Sequence, residues 1–136
     1  INKFNLKTEK QKLVCNYPIY RKQVESRQVN DNVKVIYFGV IHPNRNIEET
    51  ITAFKKLNLN ISLDIIGPGD KIYIDNLKQE IVGYENIRIL PGVSQKDIDE
   101  LLPQYDIGFA FYSNTNLNNY YCAPNKIFQY ICMNIS

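Results

Sequence analysis

The chain has 136 residues, 44% of them hydrophobic, which is enough for one core and too little for two domains. Sixteen basic against fourteen acidic residues leave a formal charge of +2, far from the basic face that duplex nucleic acid selects, so no nucleic-acid partner is expected. No apolar run approaches the roughly 20 residues that span a bilayer, and residues 1–12 are too polar for a secretory leader.

A soluble, cytoplasmic domain is therefore expected. Its three cysteines, Cys15, Cys122 and Cys132, form no C-x-x-C pair and suggest reduced thiols instead of a disulfide framework or a zinc site. Residues 1–32 read as a lead-in or linker: polar and charged, with one short apolar run at Leu13-Val14-Cys15 that Asn16-Tyr17-Pro18 stops.

From Val33 the pattern becomes regular. Val33-Lys34-Val35-Ile36-Tyr37-Phe38-Gly39 is β-branched, aromatic and almost wholly apolar, the composition of a strand buried on both faces. After a loop containing His42-Pro43-Asn44-Arg45, Asn46 can cap a helix with Glu48 and Glu49 in its first turn and Ile47, Ile51 and Phe54 on one face. The unit repeats. A strand over 61–66 ends at Gly67-Pro68-Gly69, and Ile74, Leu77 and Ile81 stripe the next helix. A third strand over 86–90 turns at Pro91-Gly92, and Ser94 with Asp97 forms a capping-box start to a helix carrying Ile98, Leu101 and Leu102, bounded by Pro103. A fourth strand over 106–111 leads through an Asn-rich loop to Ala123-Pro124-Asn125-Lys126-Ile127-Phe128-Gln129-Tyr130-Ile131, where Pro124 suits the first helical position.

Strands alternating with amphipathic helices predict an α/β fold: a Rossmann-like parallel sheet over 33–136 with flanking helices. Ligands of such sheets sit outside the carboxyl ends of the strands, here the loops at 39–45, 67–70, 91–94 and 112–125. Arg45 and Lys126 both stand at predicted helix N-termini on that edge, where a cation opposes the helix dipole unless an anion is shared. Two readings are open: a shared diphosphate, or two solvated surface charges. Gly39, Gly67, Gly69 and Gly92 would let a ligand approach the backbone, and glycine also simply ends strands. There is no G-x-G-x-x-G and no Walker lysine motif. Asp97-Ile98-Asp99 is accounted for by helix capping, so no metal is expected, and the single histidine, His42, has no partners at a triad's spacing.

Tyr37-Phe38-Gly39 with Arg45-Asn46-Ile47, Asp64-Ile65-Ile66-Gly67-Pro68-Gly69, Asn86-Ile87-Arg88-Ile89-Leu90-Pro91-Gly92-Val93 and Ala123-Pro124-Asn125-Lys126-Ile127-Phe128-Gln129-Tyr130 together resemble the carboxyl-terminal domain of group 1 (family 4) glycosyltransferases. The resemblance implies part of one domain of the GT-B architecture, the half that binds a sugar nucleotide. It implies a retaining, metal-independent transfer of sugar from a nucleoside-diphosphate sugar to an acceptor hydroxyl, with no further cofactor. Arg45 matches the family's basic residue for the diphosphate, and Pro91, Gly92 and Val93 match the loop beside the base. Gln129 takes the place of the acid that holds the ribose; Asn125 and Lys126 open the same helix. Val40 and Tyr121 stand where a second arginine and a first glutamate are usual.

On this reading the saccharide or lipid-linked acceptor is bound by an amino-terminal half outside the chain. The enzyme would serve cell-envelope polysaccharide synthesis, peripheral to the inner membrane face. The piece alone would bind nucleoside diphosphate weakly, if at all, and transfer no sugar, and it would be a dimer or a marginally stable monomer, with an uncovered face bearing Ile127, Phe128 and Ile131 as the contact. A sugar-nucleotide epimerase of similar fold and a degenerate binding domain remain alternatives.

Overall fold

The computed structural model describes residues 31–57, 60–112 and 117–136. Nearly all of the expected lead-in, and the middle of the Asn-rich loop, lie outside the described residues. Four strands, β1 (Val33–Phe38), β2 (Ile61–Ile66), β3 (Ile87–Leu90) and β4 (Ile107–Gly108), form one sheet in the order β3-β2-β1-β4. Every pairing is parallel, with Val35 opposite Leu63 in β2 and opposite Ile107 in β4. The helices are α1 (Ile47–Lys56), α2 (Lys71–Glu80), α3 (Gln95–Leu101), α4 (Leu117–Tyr120) and α5 (Asn125–Cys132). The Rossmann-like α/β expectation holds.

Right-handed crossovers divide the helices between the faces. Connections running from β1 to β3 put α1 and α2 on one face, where Ile47, Ile51 and Leu77 pack on Val35, Tyr37, Leu63, Ile65, Ile87 and Ile89. The chain then crosses back past β1 to β4. Ile98 of α3 and Tyr130 of α5 accordingly cover the opposite face, on Ile36, Phe38 and Ile66. Adjacent strands β1 and β4 thus send their chains in opposite directions, and this reversal is where doubly wound sheets open a crevice.

Several local expectations are refined. The Ser94–Asp97 capping box is present, and Asp70 adds a cap by accepting from the Tyr73 backbone N–H at 2.9 Å. Asn46 does precede α1, in a left-handed conformation (φ 52) and without a side-chain cap bond; the Thr50 hydroxyl donates to its carbonyl. Pro124 is not the first helical residue. Its ψ of 128 is extended, so it is the N-cap, and Lys126 is the second residue of α5.

The fourth strand is shorter than its apolar run predicts. Beyond Phe38 the chain stays with β2, Gly39 donating to the Ile66 carbonyl and Ile41 to that of Pro68. β4 has one further bond to β1, from Phe109 N–H to the Ile36 carbonyl, before the two strands separate. Its other edge is occupied by Ser136, which donates to the Asp106 carbonyl and accepts from the Gly108 N–H.

Among the described residues one charged side chain lies in the core. Asp64 of β2 is 4% exposed, faces the α3 side, and accepts two bonds from its cross-strand neighbour Arg88 (2.7 and 2.6 Å) and one from the Tyr105 hydroxyl (2.5 Å). A buried carboxylate is tolerated when its lone pairs are filled in this way. The network ties β2 and β3 to the turn that follows α3.

Candidate functional site

The crevice between β1 and β4 is built from four segments. After β1, Pro43–Arg45 form a 3-10 turn that His42 initiates, its Nδ1 accepting from the Asn44 N–H at 3.2 Å. This gives the lone histidine a turn-capping role and fixes the backbone that carries Arg45. From the far side, α5 is anchored by Tyr130, 4% exposed, whose ring lies edge-on to Phe38 and whose hydroxyl donates to the Phe109 carbonyl at 3.2 Å. Gly108 leaves the space for that ring, since any Cβ there would strike it. One helical turn before Tyr130, Lys126 is directed back over β1.

The Lys126 ammonium rests on Gly39, where a Cβ would collide with its Nζ and Cε. At φ 132 Gly39 also has a backbone that other residues rarely adopt. Gly39 therefore seats the lysine. Nζ lies 4.8 Å from the Tyr37 ring centroid, 5.8 Å from that of Tyr112 and 5.9 Å from that of Phe38. The Arg45 guanidinium lies over the same Tyr112 ring at 4.0 Å. Arg45 and Lys126, far apart in sequence, are thus brought to one place.

Among the described residues no carboxylate pairs with either cation; the ion pairs found there join other residues. Arg45 Nη1 is buried and has no hydrogen-bond partner among the described residues. Burial, and then the Arg45 charge, hold the Lys126 ammonium down at about 8, and burial pushes the Tyr37 phenol up to about 12. The Tyr37 hydroxyl donates to the Val40 carbonyl at 2.7 Å, so it braces the loop. Among the described residues, then, two cations stand together on one aromatic ring with no carboxylate paired to either.

Gly39 also borders a second space, a cleft of about 100 Å³ lined by Gly67, Pro68, Gly92, Val93 and Gln95 among others. Gly67 and Gly92 line it, but each has a packing reason for lacking a side chain. A Cβ on Gly67 would be driven into the Gly39 carbonyl, and one on Gly92 would meet Pro68 Cδ at 2.9 Å. Gly69 does not line the cleft; a Cβ there would lie 2.5 Å from the Ile41 carbonyl oxygen, within the contact between two loops. Pro91 precedes the lining residues. Asn125 and Gln129 stand on α5, one residue before and three residues after Lys126, with Asn125 exposed and Gln129 half-buried.

No cluster of three metal-ligating side chains occurs among the described residues. Asp97 exchanges bonds with Ser94, and Asp99 accepts from Gln95 Nε2 at 2.9 Å. Reading the sequence missed Tyr112 and the floor role of Tyr37. Their signal was an aromatic pair toward the carboxyl side of two neighbouring strands, Tyr37-Phe38 closing β1 and Phe111-Tyr112 just past β4, on the edge where both cations had been placed.

The fold and this edge define a Rossmann-like α/β domain with a cationic crevice at its topological switch point. A family model described as glycosyl transferases group 1 matches residues 20–114. The chain belongs to that family of glycosyltransferases. The match takes in Gly39, Arg45, Gly67, Gly69, Pro91, Gly92, Val93 and Tyr112, while Lys126 and Gln129 lie beyond it. No match to a curated protein was found. Among the described residues no helix is long and apolar enough to cross a membrane.

Proposed function

We propose that this chain supplies the donor-binding part of a retaining glycosyltransferase, which moves a sugar from a nucleoside-diphosphate sugar to an acceptor hydroxyl. The observation that carries this reading is the pairing of Arg45 and Lys126 over Gly39 and Tyr112, without an opposing carboxylate among the described residues. Two fixed cations stabilise the charge that grows on a departing diphosphate more than they stabilise the intact donor, and this difference is what accelerates transfer. The cleft beside Gly39, floored by Gly67 and Gly92 and rimmed by Val93, takes the nucleoside end, and Gln129 bonds ribose hydroxyls through its amide. No metal and no further cofactor take part. The acceptor, saccharide or lipid-linked, is held by another part of the complete enzyme.

Charge-assisted hydrogen bonds contribute roughly 1.5–3 kcal/mol each. Arg45→Ala and Lys126→Ala should therefore each weaken binding of UDP or GDP at least tenfold by calorimetry, without lowering the melting temperature by more than a few degrees. Unchanged affinity in the double variant would overturn the assignment. Gln129 in place of a carboxylate favours a second reading, binding without transfer. Donor turnover by the complete enzyme separates the two: release of free sugar or transfer to an acceptor supports the first, and nucleotide binding with neither supports the second.

A further inference from the structure

Two like charges held side by side repel, and proteins ordinarily offset this with a carboxylate. A carboxylate here would also neutralise the seat and repel an incoming diphosphate. The crevice uses aromatic faces instead, which attract cations through the ring quadrupole without cancelling their charge. Among the described residues, Tyr37 and Phe38 make ring contacts with Lys126, and Tyr112 makes them with both cations, at 4.0 Å from Arg45 Cζ and 5.8 Å from Lys126 Nζ. Its place follows from the topology. Tyr112 lies just past the point where β4 parts from β1, half-buried, with Phe109 packed on Tyr37 and Phe111 on Phe109. The guanidinium has a buried nitrogen with no hydrogen-bond partner among the described residues, so the stack on Tyr112 is the contact that orients it.

We infer that Tyr112 is a positioning residue of this site: its ring face seats the Arg45 guanidinium beside the Lys126 ammonium, so that the two cations meet a diphosphate as a preformed pair. The inference rests on the donor-binding reading proposed above. It assigns the role to the ring and not to the phenol hydroxyl. Tyr112→Phe should therefore behave as wild type, whereas Tyr112→Leu, which keeps apolar bulk and removes the π face, should not.

Two measurements on the full chain test this. Calorimetric titration with inorganic pyrophosphate and with UDP should show wild-type affinity in Tyr112→Phe and a loss of about three- to thirtyfold in Tyr112→Leu, the span of a partly desolvated cation–π contact. The second needs no ligand. NMR titration of the Lys126 side chain should give a midpoint near 8 in wild type and in Tyr112→Phe, and a midpoint moved toward the ordinary lysine value in Tyr112→Leu, because the released guanidinium no longer stands beside the ammonium. A Tyr112→Leu variant with affinity within twofold of wild type and an unmoved Lys126 midpoint would overturn the inference. So would a Tyr112→Phe variant as impaired as Tyr112→Leu. Failure of the donor-binding reading looks different: Arg45→Ala and Lys126→Ala would then leave pyrophosphate and UDP affinity unchanged, whatever the Lys126 titration shows.

Discussion

Lys126 is a cation whose charge state the fold disturbs, through burial and then the Arg45 charge. Because its folded value is held near 8, below that of an unfolded lysine, the unfolded chain binds more protons between about pH 8 and 10, and Lys126's contribution to stability rises with pH across that window. Diphosphate binding runs the other way, since the anion needs the protonated form. Affinity should be level below pH 7 and fall from pH 7 to 9, where Lys126→Arg, charged throughout, should remove the decline. An affinity independent of pH over that range in wild type would show that Lys126 does not touch the anion. Asp64 makes a different residue-scale case. Arg88→Leu leaves the buried carboxylate with Tyr105 alone, and an acceptor stripped of one partner costs about 1–3 kcal/mol. Because the Arg88 side chain is more than half exposed, the lower half of that range is expected in urea unfolding, with nucleotide affinity unchanged.

At the scale of elements, α5 connects packing to the site. Its apolar side chains do not share one buried face: Ile131 is 67% exposed and Ile127 is exposed, while Tyr130 holds the helix to β1 and β4. Tyr130→Ala should cost about 3–5 kcal/mol, the usual range for emptying a buried aromatic site. It should also weaken UDP binding, because Lys126 is presented by the turn that Tyr130 anchors. Tyr130→Phe loses only the bond to the Phe109 carbonyl and should stay within about 1.5 kcal/mol of wild type. Thermal melts and calorimetry on the two variants distinguish anchoring from a direct ligand role. A loss of UDP affinity equal in both would place the hydroxyl on the ligand.

Across the whole molecule, the proposed site depends on a sheet edge on which three loops close against one another. Gly67 and Gly69 let the loops after β1 and β2 meet backbone to backbone. The proposed chemistry uses positioned cations and no metal, so UDP affinity should be equal in EDTA and in magnesium, and Gln129→Glu should preserve or improve it. Affinity that appears only with added divalent ion would reverse that reading.

The periodicity of the sequence was sufficient for the α/β class, for three of the strands to within a residue, and for the stripes Ile47–Ile51 and Ile98–Leu102, because burial on one or both faces imposes its period locally. It was also sufficient to put Arg45 and Lys126 on one edge, since parallel sheets present all their strand-to-helix loops at the same end. What local pattern could not supply was neighbourhood. Nothing within 106–112 announces that β4 lies beside β1 and not beside β3, and that placement brings Tyr112 under Arg45 and Lys126 onto Gly39. The length of β4 was set by where β1 turned toward β2, and the burial of Asp64 by partners that lie more than twenty residues away, Arg88 and Tyr105. A segment's own residues determine which faces must be covered; only the assembled sheet determines what covers them, because strand order is settled by packing between segments that share no local signal.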